Sequence, residues 1–346
     1  MRICILGATG LVGRETLELV GRAWPSAELV LYASRDQELV FGGRSLAVQA
    51  ASRLEQTDAP RGDLAMVALD DEHSQRYVPR LLELGYRVVD KSNTYRLDPN
   101  VPLVAAGANC GRVTADTKLV ANPNCTTIPF TLAVSPLARK WGLEGATVST
   151  YQAISGAGIG TLDDFLAKSG VGYAQPDRLG HGFDPAAYAG NTVPHGAKTD
   201  ESGFSSEERK LVQESRKILE LPGFAVSAQC CRVPVAVGHY LNAWVQLGKA
   251  VDPNEIEAVL ADRASAPFVH LLPGPSGEGL SALHCVQRRD EALVGRLRRD
   301  ARDAEGRTFC LTVAADNLRL GAATNAVRIA SRWFPSEDPE LAAPGF

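Results

Sequence analysis

Apolar and polar positions follow two different rhythms along this chain. In the first third, short and mostly apolar runs read as strands: Ile3 to Leu6, Glu28 to Tyr32, Leu64 to Ala68 and Arg87 to Asp90. Between them, apolar residues recur at helical spacing over Arg14 to Arg22 and over roughly His73 to Leu84. This repetition predicts a doubly wound, parallel α/β sheet. In the middle of the chain, Thr147 to Ile154 and Ala225 to Leu247 are Val-rich, long and alternating, which predicts a mixed or antiparallel sheet. Amphipathic helices are predicted over Glu207 to Leu219, Pro253 to Ala264 and Ala322 to Trp333. Tyr173 to Ser202 is dense in Gly, Pro, Asp and Asn and reads as an extended surface loop. The Pro-rich tail after Phe334 is expected to trail over the surface. There is no internal repeat or low-complexity tract.

Length and composition narrow the picture. A chain of 346 residues exceeds one ordinary core and suits two joined domains. With 45% hydrophobic and 22% charged residues, a packed globular protein is expected. A net charge of -4 argues against a nucleic-acid surface. The seven cysteines form no CxxC pair and the six histidines no HExxH spacing, so neither a disulfide framework nor a metal site is expected. The first apolar run is too short for a signal-peptide core. No apolar run approaches the ~20 residues that span a bilayer. The expected location is the cytoplasm.

The first strand runs into Gly7-Ala8-Thr9-Gly10-Leu11-Val12-Gly13 and then a helix. A dinucleotide needs one glycine for the tight turn, one for approach to the pyrophosphate, and one for helix-strand packing. The helix N-terminus then faces the phosphates. The second strand ends in Ala33-Ser34-Arg35 rather than in an acid, so a hydroxyl and a guanidinium await a 2′-phosphate. This favours NADP, while Asp36 keeps NAD open.

Ala121-Asn122-Pro123-Asn124-Cys125-Thr126-Thr127 precedes an apolar helical run, Ile128 to Leu137. The Cys125 thiol is thereby expected at a helix N-terminus, where the dipole favours thiolate. Cys4 and Cys310 read as buried and inert. A thiolate catalyst needs a base, and Arg232 to His239 offers both a guanidinium and an imidazole. Seven residues apart, they would lie on opposite faces of a regular strand. Pro234 and Gly238 are strand breakers, and a bulge there would bring both into one cleft. His73, His181, His195, His270 and His284 read as structural.

At these residues the chain resembles the aspartate-β-semialdehyde dehydrogenase family over nearly its whole length. The motifs are Asn-Pro-Asn-Cys-Thr-Thr at 122–127, Gln-Ala-Ile-Ser-Gly-Ala-Gly at 152–158 and Arg-Val-Pro-Val-x-x-Gly-His at 232–239. Asp316 to Ala323 and Asn325-Ala326 fit as well. The resemblance implies a Rossmann-type N-terminal domain over 1–125, joined by a C-terminal helix at about 317–346. It implies a second, α+β catalytic and dimerisation domain over 126–316, built on a mixed sheet.

It also implies roles. Cys125 matches the acyl-thioester nucleophile, His239 the acid/base and Gln152 a residue that orients the intermediate. Arg232 matches the clamp on the substrate carboxylate and Glu207 the contact to the substrate amino group. Arg96 and Lys210 match phosphate ligands, and Asn124 lies beside the nucleophile in the substrate site. Gly7, Thr9, Gly10, Leu11, Val12, Gly13, Ser34, Arg35, Ser155, Gly156 and Asn317 match cofactor positions. The implied reaction is NADPH-dependent reduction of aspartyl-β-phosphate, with inorganic phosphate as co-substrate, in a homodimer; a tetramer stays open.

From the residues alone, the bland readings compete. Glu207 and Lys210 have the i, i+3 spacing of a surface ion pair, and Arg96 reads as a loop charge. A departure from the family pattern stands at Leu69-Asp70-Asp71-Glu72-His73, where a small, Gly-rich turn is usual. Acidic residues there are expected to alter cofactor affinity. Tyr173 to Tyr188 also looks irregular. Alternatives are an N-acetyl-glutamyl-phosphate reductase, which has Gly where this chain has Asn124, an acyl-CoA reductase of malonyl-CoA type, and a non-catalytic nucleotide-binding homologue. Glyceraldehyde-3-phosphate dehydrogenase shares Cys-Thr-Thr but has Asn where Ile128 stands.

Overall fold

A computed structural model describes residues 1–169, 188–195 and 199–344 of the chain. It divides into two compact units, Met1–Asn124 with Gly321–Phe346, and Cys125–Leu320. Most of the loop expected over Tyr173 to Ser202, including His181, lies outside the described residues.

In the first unit, strand β1 (Arg2–Leu6) passes through the glycine turn into helix α1 (Leu11–Ala23). Strand β2 (Glu28–Ala33) follows, then a hairpin of β3 (Gln37–Phe41) and β4 (Arg44–Ala50). Next come β5 (Leu64–Val67), helix α2 (Asp71–Glu83), β6 (Arg87–Asp90) and β7 (Leu119–Ala121). The order across the sheet is β3-β4-β2-β1-β5-β6-β7. All pairings are parallel except β3 with β4. The chain leaves β1 toward β2 on one side and returns to β5 on the other. That reversal is the switch point where α/β sheets bind ligands.

The hairpin was not legible in the sequence. Its strands lie at the sheet edge, largely solvated, and carry little apolar periodicity. Its turn is Gly42-Gly43, both at positive φ.

The C-terminal helix is shorter than predicted, Thr324–Ala330, after a π-type turn over Arg319–Ala323. The tail beyond it does not trail freely. Arg22 pairs with Asp338 at 2.7 Å, Trp24 Nε1 donates to the Phe334 carbonyl at 3.1 Å, and Leu341 is buried. These contacts tie the tail to the end of α1.

The second unit carries α3 (Thr127–Trp141), β8 (Leu143–Gln152), α4 (Ile159–Lys168), β9 (Val193–Pro194), α5 (Ser206–Leu219), β10 (Ala225–Arg232) and β11 (His239–Leu247). Then follow α6 (Pro253–Ala261), β12 (Val269–Leu271), α7 (Ala282–Gln287), β13 (Ala292–Arg299) and β14 (Thr308–Ala315). The sheet order is β12-β13-β14-β11-β8-β10-β9. One face packs on α3, α5 and α6 through residues such as Phe130, Val148, Leu211, Leu241 and Val245. The opposite face presents Thr147, Tyr151, Tyr240, Asn242 and Trp244, which stay partly exposed.

Ala225 to Leu247 is not one bulged strand. Pro234 lacks a ladder donor, and Gly238 adopts φ 101°, which favours glycine. The chain therefore leaves β10 at Arg232 and re-enters the sheet as β11 at His239, with β8 between them. β10 runs parallel to β8 with Arg232 opposite Gln152, and β11 runs antiparallel with Tyr240 opposite Tyr151. Gln152, Arg232 and His239 thus come together at one end of three adjacent strands, all on the helix-covered face.

The glycine turn leaves no room for side chains. A Cβ on Gly13 would lie 2.1 Å from the Gly7 carbonyl oxygen, and one on Gly7 2.6 Å from that of Ala68. Gly13→Ala is expected to cost about 1–3 kcal/mol through overpacking. It should lower the Tm and weaken dinucleotide binding together. A wild-type Tm with wild-type binding by fluorescence titration would refute this.

Candidate active site

The turn ends at Gly10, which caps α1 without a side chain, so the first backbone N–H groups of that helix stay available to an anion. Thr9 contributes its carbonyl to Arg14 Nε at 3.2 Å, bracing the turn. A small cavity between α1 and the carboxyl ends of β5 and β6 is lined by Val12, Thr16, Ala68, Lys91 and Asn122. Ser34 and Arg35 are exposed at the end of β2. Asp36, the residue that kept NAD open, is already engaged. It accepts from the Ala50 N–H at 2.7 Å and pairs with Arg53 at 2.6 Å.

The acidic departure has a structural use. Asp70 caps α2 by accepting from the His73 N–H at 3.0 Å. Asp71 accepts from the Asn93 N–H at 2.7 Å and from Asn93 Nδ2 at 3.1 Å. These bonds hold the loop that carries Arg96. Arg96 is no solvated loop charge: it is buried, and its Nη2 donates to the Lys91 carbonyl at 2.6 Å. Asn325 bonds Asn122 at 2.7 Å, the Ala106 N–H and the Val104 carbonyl, bracing the strand end that leads into Asn124.

Cys125 stands directly before α3, whose cap Thr126 supplies no side-chain hydrogen bond. The helix N-terminus therefore bears on the sulfur. Cys125 is partly exposed, whereas Cys4 and Cys310 are buried and burial raises both their pKa values. Cys125 Sγ lies 3.2 Å from His239 Nε2. The other ring nitrogen, Nδ1, accepts from the Ala153 N–H at 3.0 Å. That partner assigns the tautomer: a neutral ring must carry its proton on Nε2, facing the sulfur. Burial above all, and then the charge of Arg232, press the His239 pKa down to about 3.

Around this pair the second unit gathers more charge. Arg232 is buried, and its Nη1 donates to the Ala153 carbonyl at 2.6 Å. A Cβ on Gly156 would lie 2.8 Å from that Nη1 and 3.4 Å from the His239 ring, so any side chain there would displace the Arg232 guanidinium. Gln152 is buried and bonds Thr150 Oγ1 at 3.2 Å. Asn317 accepts from the Gly238 N–H at 3.0 Å, and its Nδ2 donates to Ser155 Oγ at 2.9 Å. Those bonds brace the loop before His239. Glu207 and Lys210 do form the i, i+3 ion pair, at 3.4 Å, but Glu207 is only 6% exposed. Its negative charge raises the pKa of both His239 and Arg232, against their burial. His195, read as structural, stands with Nε2 against Arg232 Nη2. Neither this contact nor the Ala153 bond to His239 has a sequence signal, because both join segments distant along the chain.

A nucleotide-binding parallel sheet followed by a mixed-sheet unit with a cysteine-histidine pair is the layout of a two-domain dehydrogenase. Residues 2–114 match the family model for the semialdehyde dehydrogenase NAD binding domain, and residues 134–320 that for its dimerisation domain. An aspartate-semialdehyde dehydrogenase of Aquifex aeolicus is 36% identical over 95% of this chain and 96% of its own. One from Bacillus subtilis is 31% identical over the same shares. The crystal structure of aspartate semialdehyde dehydrogenase II from Vibrio cholerae, complexed with ASA, superposes with a TM-score of 0.85 at 30% identity. It covers 95% of this chain and 97% of that one. The chain belongs to the semialdehyde dehydrogenase family, among the aspartate-semialdehyde dehydrogenases. Among the described residues no helix is long and apolar enough to cross a membrane.

The fold holds His239 neutral, whereas an unfolded chain would protonate it near its ordinary value of 6.5. This contribution to stability is therefore complete above pH 6.5 and is lost progressively as pH falls toward 3. The His239 ring should show no titration between pH 5 and 8 by NMR. A midpoint near 6.5 would disprove the buried, neutral assignment.

Proposed function

We propose that this protein reduces L-aspartyl-4-phosphate to L-aspartate-4-semialdehyde with NADPH, releasing inorganic phosphate, as a cytoplasmic homodimer. The observation that carries the reading is Cys125 before α3, its sulfur 3.2 Å from a buried, neutral His239.

Cys125 attacks the acyl carbon as the thiolate that the His239 Nε2–H and the start of α3 favour, and phosphate leaves with the electron pair of the C–O bond, giving a thioester. Lys210 supplies a cation to that phosphate, and Arg96 keeps the phosphate role that the resemblance implies. Arg232 binds the α-carboxylate, since a guanidinium matches a carboxylate fork, and the buried Glu207 takes the α-amino group. When bound, the reduced dinucleotide supplies the hydride. The thioester carbon accepts it, its oxygen becomes an oxyanion, and collapse breaks the C–S bond to return thiolate and free the aldehyde. No proton need be transferred in that collapse. His239 Nε2–H therefore serves as a hydrogen-bond donor, first to the sulfur and then to the developing oxyanion. Gln152, at the end of β8, orients the intermediate.

The choice of NADP rests on Arg35 and Ser34 together with the commitment of Asp36 to Arg53. The dimer rests on the open face of the second sheet. Tyr151 and Tyr240 meet edge to face there, with centroids 6.2 Å apart, beside Asn242 and Trp244. An antiparallel face that is aromatic and polar suits a second copy better than bulk solvent.

With aspartate semialdehyde, NADP+ reduction should require inorganic phosphate and should fall off with glutamyl and malonyl analogues. CoA-dependent, phosphate-independent reduction would replace this reading with an acyl-CoA reductase. Cys125→Ala should abolish turnover while NADPH still binds; turnover at the wild-type rate would remove the thioester. Trp244→Glu should shift the protein to monomer in sedimentation, and an unchanged dimer would place the interface elsewhere.

A further inference from the structure

His195 is not used by the reaction as described, yet it touches the group that binds the substrate carboxylate. It follows β9, whose Val193 and Pro194 pair with Arg232 and Cys231. Its own N–H donates to the Cys230 carbonyl at 2.8 Å, so the backbone sets its position whatever the side chain. The ring turns toward Arg232, with Nε2 against Nη2. A guanidinium has no lone pair and cannot deprotonate, so the imidazole must be the acceptor. Its proton then sits on Nδ1, which is buried and has no partner among the described residues. Burial first, and then the charges of Arg232 and Lys210 against that of Glu207, hold His195 in the neutral form that can accept.

Arg232 is therefore gripped at two points. Nη1 donates to the Ala153 carbonyl and Nη2 to His195. These bonds fix the guanidinium plane and, among the described residues, leave three of its five N–H groups for a ligand. We propose that His195 is a positioning residue: its Nε2 sets the plane of Arg232, so that the remaining N–H groups present a fork to the substrate carboxylate. This rests on the reading of Arg232 as the carboxylate ligand. A phenyl ring would keep the packing and lose the acceptor, whereas a glutamine side chain keeps an acceptor oxygen.

The test compares His195→Phe, His195→Gln and Arg232→Lys in the phosphate-dependent oxidation of aspartate semialdehyde. His195→Phe should raise the KM for the semialdehyde about 10-fold, change kcat less than about 3-fold, and leave the KM values for NADP+ and phosphate as they were. His195→Gln should restore the semialdehyde KM to within about 3-fold of wild type. A purely structural role would move kcat and every KM together and would not be rescued by glutamine. A wild-type KM in His195→Phe beside a raised one in Arg232→Lys overturns the role of His195 alone, as does a glutamine variant as impaired as phenylalanine. A wild-type KM in Arg232→Lys overturns the carboxylate reading and this proposal with it.

Discussion

The hydrogen bond from the Ala153 backbone N–H to His239 Nδ1 is the constraint on which the rest of the site depends. It occupies the nitrogen that would otherwise take a second proton, and it turns the Nε2–H toward Cys125. Full burial reinforces the choice, because an imidazolium in that setting has neither solvent nor a spare acceptor. Gly156 is part of the same constraint, since any side chain there would push Arg232 or the imidazole out of place. The sulfur thus meets a fixed donor and a helix N-terminus, two permanent dipoles that favour its charged form without titrating themselves.

Such a site must hold several charges out of water without leaving one uncompensated. Arg232 is tethered by a carbonyl and an imidazole, both neutral, so its positive charge stays available to a ligand. Glu207 balances part of it from α5, whose first turn is fixed by a capping box between Ser205 and Glu208. Glu208 also accepts from the Cys230 N–H at 3.0 Å, which ties the helix to the strand that ends in Arg232. Each charged side chain is thereby positioned by an element whose own geometry is satisfied by different atoms.

The nucleotide unit uses the opposite economy: its key features are absences. Gly7 and Gly13 remove side chains so that backbone can close on backbone, and Gly10 leaves the helix cap open. The acidic turn after β5, unusual against the family pattern, spends its carboxylates on a helix cap and on the Asn93 loop. Asp36 is likewise spent on Arg53, which leaves the Ser34 hydroxyl and the Arg35 guanidinium at the end of β2 for a ligand.

Much of this could be read along the chain, because it is local. The βαβ rhythm, the glycine turn and the amphipathic helices arise from spacing within a few residues, and the Cys125 helix start follows from Asn-Pro-Asn and the apolar run after it. The β3–β4 hairpin escaped because solvated edge strands carry no periodic signal, and the tail escaped because Arg22 lies more than 300 residues from its partner Asp338. The relation of Arg232 to His239 was misjudged for a related reason. Local spacing suggested a bulge within one strand, whereas a third strand, β8, is inserted between them. By itself the sequence determined the residue types of the site and the elements that carry them. Tertiary structure alone decided which nitrogen of His239 holds the proton, what grips Arg232, and that His195 stands beside it. Those depend on contacts between strands distant in the chain, where hydrogen-bond direction and burial exist only once the sheet has formed.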